Sequence, residues 1–322
     1  MRLLVTGASG FLGRNALLTI PPSWQVVAIY RSEQSGFLSF LESHRLHHIQ
    51  AVACDLTDND QVEHAMQRVG KTFDSCLALA SNTSIPASIE RPIDDLTTNT
   101  IGLLHLLQRC AIRHLVYLSS GAVYIGLKGL VGPASTLSPT LPYAISKLAA
   151  EQYIRAFSAH YQTPDYATIV RFFGAYGPYE PPRKLYTKLV RQFAFTRNAH
   201  FSVLGDGENY IDAMYIDDAI RALLAVLTIP PAERVRCIDL GVGSGESVNA
   251  VVARAAHMFG IEPRIEHEGF PAEYIQFVID PRPFSEAYQF TPEVSLEEGL
   301  RRLAAHLRQE EQAASGFASS ML

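Results

Sequence analysis

The chain has 322 residues, enough for about two domains of ordinary size or one large one. Hydrophobic residues at 48% and charged residues at 18% exclude a disordered chain, and 27 Lys and Arg against 32 Asp and Glu give a formal charge of −5, no field for wrapping a nucleic acid. No apolar run reaches the roughly 18 residues of a membrane span, and four cysteines without a CxxC pair read as reduced thiols of a cytoplasmic protein.

Arg2–Val5 reads as a strand entering a glycine turn; a secretory leader would need a longer apolar stretch and is not expected. The turn is Gly7-Ala8-Ser9-Gly10-Phe11-Leu12-Gly13, and it opens an amphipathic helix over Gly10–Thr19. Gly7 permits the tight turn, Gly10 lets backbone approach a diphosphate, and Gly13 lets helix and strand pack closely. The helix N-terminus then favours the anion.

The second strand, Gln25–Tyr30, ends in Arg31-Ser32, where a chain that binds NAD usually has an acid for the ribose hydroxyls. Arg31 is suited to grip a 2′-phosphate, with Ser32 adding a hydrogen bond, which predicts NADP. An Arg31 that caps a loop and stacks on adenine suits NAD equally. After the third strand, Ile49–Cys54, Asp55-Leu56 stand where an acid contacts the adenine amino group; Asp55 is also a candidate N-cap for a helix over Asn59–Val69.

Strands follow at Ser75–Leu79, Leu115–Ser119 and Thr168–Phe172, with helices over Asp94–Ala111 and Tyr143–His160. The strands lack clean alternation, as strands covered on both faces should. This βαβα order predicts an α/β fold, a Rossmann-type doubly wound parallel sheet over residues 1–172. Beyond Phe173 the pattern breaks at Gly174-Ala175-Tyr176-Gly177-Pro178. Then come a basic helix over Arg183–Thr196, a turn at Gly205-Asp206-Gly207, a helix over Asp217–Thr228 and a strand at Arg236–Leu240. The segment 212–241 is expected to return to the main sheet. Residues 173–211 and 242–308 form a smaller mixed α/β substrate domain, with a helix over Ser247–Phe259, an extended Ile275–Ile279 and a last helix over Ser295–Arg308; 309–322 reads as a flexible tail.

Tyr143-Ala144-Ile145-Ser146-Lys147 sets Tyr and Lys four apart on one helical face. An ammonium beside it and a nicotinamide cation both favour phenolate, so Tyr143 can exchange a proton with a substrate hydroxyl. Ser120, at the end of the fifth strand, is placed to hold the same oxygen. His44, His47 and His48 cluster without metal-site company and read as a solvated loop. Asp217-Asp218 reads as an N-cap or salt-bridge element.

TGASGFLG (Thr6–Gly13), DLTD (Asp55–Asp58), LALAS (Leu77–Ser81), Asn99 with Gly102, LVYLSSGAVY (Leu115–Tyr124), YAISK (Tyr143–Lys147), RFFGAYGP (Arg171–Pro178), PRKL (Pro182–Leu185) and GDGENYIDAMYIDD (Gly205–Asp218) run in one order along the chain. In these stretches it resembles an extended short-chain dehydrogenase/reductase of the nucleotide-sugar epimerase/dehydratase family. The resemblance implies catalytic roles for Ser120, Tyr143 and Lys147. It implies cofactor contacts at Gly7, Gly10, Asp55, Tyr143 and Lys147. Ser9, Phe11, Leu12, Gly13, Arg31, Ser32 and Leu56 complete the expected cofactor set with Leu79, Ala80, Ser81 and Asn99. It also implies a homodimer through the Asp94–Ala111 and Tyr143–His160 helices.

Departures from the family pattern carry information. Its 4,6-dehydratases have an Asp-Glu pair after the position of Ser120, and its decarboxylases usually a Glu in that stretch; here stand Gly121-Ala122, which cannot do proton chemistry. That leaves an NADP- or NAD-dependent epimerase acting at a sugar carbinol, expected at C4, through a keto intermediate. The alternative is an NADPH-dependent 4-keto-sugar reductase; a non-sugar substrate or a non-catalytic dinucleotide-binding protein ranks below both. Gly174, Ile211-Asp212 and Phe270-Pro271-Ala272-Glu273 replace the family's usual diphosphate contacts. Arg183, Lys184, Arg191 and Arg282 are candidate replacements or solvated surface charge. Ser81, Ser120, Gly121, Ala122, Gly174 and Tyr210 complete the expected substrate set, with base stacking or core packing as the two roles open to Tyr176 and Tyr210.

Overall fold

Seven apolar segments build one parallel sheet: β1 (Arg2–Thr6), β2 (Gln25–Tyr30), β3 (Ile49–Ala53), β4 (Thr72–Ala78), β5 (Ala111–Ser120), β6 (Tyr166–Phe172) and β7 (Val235–Leu240). The computed structural model describes residues 1–32, 36–161, 163–271 and 273–320, with side chains of the last helix to residue 312. The sheet order is β7-β6-β5-β4-β1-β2-β3. Because β1 lies between β4 and β2, the chain winds away from it in both directions. The returning strand pairs Val235–Leu240 with Ala167–Phe172.

Successive side chains alternate faces, and both faces are covered. Leu3, Val5, Leu77, Val116 and Val170 join the larger core, while Leu4, Val27, Cys76, Leu115 and Ile169 join a core on the other side. The flanking helices are α1 (Phe11–Thr19), α2 (Phe37–Ser43), α3 (Asn59–Val69), α4 (Ile85–Glu90), α5 (Pro92–Leu96), α6 (Gly102–Arg109) and α7 (Pro142–His160). Asp58 is the N-cap of α3, accepting from the backbone N–H groups of Asp60 and Gln61 at 3.0 and 3.1 Å. That removes the capping alternative for Asp55, whose carboxylate instead accepts from the Thr57 backbone and hydroxyl at 3.0 and 2.8 Å.

The helix expected over Asp94–Ala111 is divided. Pro92 starts α5, and a π-helical turn at Thr97–Ile101 joins it to α6 while keeping Asn99 and Thr100 inside. The later part contains α8 (Leu185–Leu189) with a π-helical continuation to Phe195, α9 (Ile216–Thr228), α10 (Val248–Met258), α11 (Arg282–Tyr288) and α12 (Leu296–Ser320). The last helix runs beyond the Arg308 expected from the sequence. Gln309–Ala314 are mostly good helix formers, and Leu300, Leu303, Ala304 and Leu307 anchor the preceding turns in the core. Met321 and Leu322 of the expected tail lie outside the described residues.

Two-stranded parallel pairs complete the second part. Lys128–Val131 pairs with Gln276–Ile279, and His200–Leu204 with Arg264–Glu268. The first pair ties the segment after β5 to the far end of the chain.

Candidate active site

A cleft of about 1010 Å³ opens beyond the carboxyl ends of β1, β4, β5 and β6, where the winding direction reverses. Its first wall is the glycine turn. Gly7 has φ +65°, and a Cβ there would stand 2.7 Å from the Ala80 nitrogen, so only glycine fits. A Cβ on Gly13 would drive into the Gly7 carbonyl. The turn closes on itself as Gly10 N–H donates to the Gly7 oxygen at 3.0 Å. Gly10 to Gly13, where α1 opens, line the cleft.

Ser9, Phe11, Leu12, Arg31, Asp55 and Leu56 line the same end, and Leu79, Ala80 and Ser81 line its floor. Ser32 and Asn99 do not line it. Asn99 is buried one layer behind, where its side-chain oxygen accepts from Ser81 Oγ at 2.9 Å and from the Asn82 N–H at 2.7 Å. Asn99 thus meets the cleft through Ser81 rather than lining it, as the cofactor contact expected of it would require.

The opposite wall carries the hydroxyl, phenol and amine side chains of Ser120, Tyr143 and Lys147. Tyr143 and Lys147 lie one turn apart on α7, and Ser120 ends β5. Burial pushes the Tyr143 pKa up, the nearby Ser120 hydroxyl pulls it down and the Asp95 charge adds to the rise. Ser120 Oγ also accepts from the Ala122 N–H at 3.1 Å, fixing it at the strand end. Lys147 is buried; its Nζ donates to the Leu118 carbonyl at 2.6 Å and reaches Ser81 Oγ at 3.5 Å. Burial pulls its pKa down to about 7, with Glu151 and Asp95 pushing upward. Tyr143, Ser120 and Lys147 thus all line the same cleft.

The other end of the cleft is bounded by Gly121, Ala122, Gly174, Phe173, Phe277 and Tyr210. Tyr176 is core, stacked on Tyr186 with ring centroids 4.1 Å apart. Of the four candidate phosphate-binding cations, only Lys184 lines the cleft. Arg183 is exposed outside it. Arg191 pairs with Glu311 at 3.2 Å, and Arg282, 80% exposed, pairs with Asp280 at 2.6 Å. Both are held away by carboxylates adjacent in the fold. Ala272, of the loop expected to replace a family arginine, lies outside the described residues.

Four cleft-lining carboxylates went unrecognised in the sequence as site residues: Asp94, Asp95, Glu180 and Asp212. Asp212 accepts from the Val242 and Gly243 N–H groups at 2.5 and 2.8 Å. Glu180 accepts from Thr187, and burial raises its pKa to about 7. No local motif announces them, since each reaches the cleft through tertiary placement. Among the described residues no cluster of three or more His, Cys, Asp or Glu could hold a metal, and no helix is long and apolar enough to cross a membrane.

The glycine turn that admits no Cβ, the helix opening on the cleft and the cleft volume fit a dinucleotide diphosphate at the turn. Comparison with known proteins points the same way. The model of the "NAD dependent epimerase/dehydratase family" matches residues 3–238. A trifunctional UDP-glucose 4,6-dehydratase/UDP-4-keto-6-deoxy-D-glucose 3,5-epimerase/UDP-4-keto-L-rhamnose-reductase of Arabidopsis thaliana is 27% identical over 93% of this chain, which spans only 46% of that protein's length. A UDP-glucuronate 4-epimerase of Thermodesulfobacterium geofontis is 25% identical over 93% of this chain and 94% of its own. The crystal structure of a UDP-glucuronic acid 4-epimerase from Bacillus cereus, in complex with UDP-glucuronic acid and NAD, superposes with a TM-score of 0.83 at 23% identity, covering 96% of this chain and 99% of that one; this likeness concerns the fold.

Proposed function

The chain belongs to the NAD dependent epimerase/dehydratase family, and from that premise we propose that it is a cytoplasmic, homodimeric nucleotide-sugar epimerase acting at a ring carbinol, C4, through a keto intermediate. The observation that carries this reading is the convergence of Ser120, Tyr143 and Lys147 on one wall of the cleft, with Gly121 and Ala122 rather than carboxyls following Ser120. Residues 1–172 and the returning 212–241 hold the dinucleotide in this reading, and 173–211 with 242–308 hold the sugar nucleotide.

Tyr143 takes the proton of the sugar hydroxyl, and Ser120 orients that oxygen by hydrogen bonding. The Lys147 ammonium favours the phenolate and holds the nicotinamide ribose. The dinucleotide supplies the acceptor and donor of the hydride. Tyr143 returns its proton after the keto sugar has turned its other face. With Gly121 and Ala122 after Ser120, that stretch supplies no carboxyl pair to carry the protons of an elimination of water across the ring. Lys184 is the cleft cation placed for the substrate phosphates.

Arg31 at the cleft's ribose end favours NADP over NAD, and with it a second reading, one-way NADPH-dependent reduction of a 4-keto sugar. Denaturing freshly purified protein and weighing any released dinucleotide by mass spectrometry separates the two. Near-stoichiometric retained cofactor is the epimerase result, and its mass decides NAD against NADP. An empty protein that binds NADPH reversibly overturns the epimerase in favour of the reductase. Tyr143→Phe should release the same dinucleotide while losing at least about 100-fold in turnover; full turnover in that variant removes Tyr143 from the chemistry.

A further inference from the structure

Asp95 is 1% exposed, stands at the cleft wall and belongs to α5, and no salt bridge is formed by it among the described residues. Its carboxylate is held by neutral donors from three parts of the chain. Oδ1 accepts from Asn82 Nδ2 at 2.7 Å and Asn99 Nδ2 at 3.0 Å. Oδ2 accepts from Ser146 Oγ at 2.6 Å. A buried charge held only by neutral groups is costly unless a counter-charge lies within reach. The chain of contacts leads to one: Asn99 accepts from Ser81, and Ser81 Oγ lies 3.5 Å from Lys147 Nζ. Ser146 adjoins Lys147 in sequence and also bonds the Tyr143 carbonyl at 2.9 Å.

We propose that Asp95 is a positioning residue for the proton-exchanging pair: its negative charge, carried on the Asn82–Asn99–Ser146 lash, is a counter-charge, with Glu151, for the Lys147 ammonium one turn along α7 from Tyr143. This rests on the reading above that Tyr143 exchanges the substrate proton. Other charged and titratable groups face the pair. Glu151 stands one turn beyond Lys147 on α7 and is engaged by Ser119 and Arg171. The Tyr117 ring from β5 lies under Lys147 Nζ, 4.4 Å to its centroid. Arg91 and Asp94 line the cleft rim and pair with each other at 3.8 Å, exposed to solvent. Asp95 acts directly on both members, since its field raises the pKa of Lys147 and of Tyr143. Removing a fixed negative charge favours every proton-poorer state of a coupled pair, so both macroscopic pKa values fall.

Asp95→Asn is close to isosteric. Its amide can donate to Ser146 Oγ, which then donates to the Tyr143 carbonyl, while its oxygen keeps Asn82 and Asn99. The test is a pH titration of 13Cζ-labelled tyrosine by NMR, with the Tyr143 signal assigned through Tyr143→Phe, on full-length protein alone and with saturating NAD+. The Tyr143 midpoint is expected to move down by about 1 pH unit in Asp95→Asn. Ser146→Ala, which breaks the lash but keeps the charge, should leave the midpoint within a few tenths. If Asp95→Asn does not fold, Asp95→Ser is neutral and smaller, and reads the same shift. An unchanged or raised midpoint overturns the proposal, as does absence of any titration in both proteins. The titration needs no sugar and no turnover. A displaced midpoint in a protein without epimerase or reductase activity defeats the functional reading alone, whereas an active enzyme with an undisplaced midpoint defeats Asp95 alone.

Discussion

Glu180 shows how a single residue ties the cleft to the stability of the chain. It is 9% exposed, and its Oε2 accepts from the Thr187 backbone and hydroxyl at 3.1 and 2.7 Å. Burial raises its pKa from 4.5 to about 7, with Thr187 and Lys184 opposing the rise. The folded state therefore binds more protons than the unfolded state between those values, and its stability falls as pH rises through that window. Glu180→Gln retains an oxygen for both Thr187 donors and cannot ionise. Urea unfolding should find the two proteins alike near the lower limit of the window. At pH 8 the variant should be more stable by roughly 3 kcal/mol. A variant no more stable than wild type at pH 8 would show that Glu180 ionises in the folded cleft without penalty.

At the scale of elements, α7 is fixed by charge as well as by packing. Glu151, wholly buried, accepts from Ser119 Oγ at 2.5 Å and from Arg171 Nε and Nη2 at 3.0 and 2.7 Å, binding α7 to β5 and β6. Arg171 continues to the Tyr124 hydroxyl, which donates to Asp239 on β7 at 2.8 Å. Glu151→Ala would strand a buried guanidinium, so a loss of about 3–5 kcal/mol is expected in urea unfolding. The double variant Glu151→Ala with Arg171→Met should recover much of it; equal losses in single and double variants would mean that packing, not charge, holds the helix. None of this network was legible from the sequence, although its surroundings were. The glycine turn, the YxxxK pair and the β1–β5 order are local patterns, each decided within a few residues, and the structure places them as the spacing implies. Lys128–Val131 is short and holds a glycine, so its strand character comes only from Gln276–Ile279, far along the chain. The α2 helix, over Phe37–Ser43, is too short for periodicity to register and is secured by Phe37 and Phe40 in the core. Arg191 and Arg282 fit phosphate chemistry by type, yet their positions are set by Glu311 and Asp280. Side-chain type suggests a role, but the fold decides which cations reach the cleft.

On the scale of the whole molecule, the helices bearing the site also present exposed apolar side chains on their outer faces. Ile93 on α5 is 78% exposed, and Leu96 beside it and Ile145 and Tyr153 on α7 are also open to solvent. The inward faces of the same helices carry Asp95, Ser146 and Lys147. Apolar residues scattered singly on a surface need no explanation, but several on adjacent packed helices suit a self-complementary twofold contact. The homodimer proposed above would use this face and brace the proton-exchanging helix from outside. Ile93→Asp combined with Ile145→Asp places charges on the face without touching the cleft. Light scattering during gel filtration should then give the mass of one 35.5 kDa chain, against twice that for wild type. Dinucleotide binding by the separated chain should persist, because the glycine turn, Arg31 and Lys147 all come from one chain. A double variant that remains a dimer would place the interface elsewhere, whereas loss of dinucleotide binding on dissociation would mean that the partner braces α7.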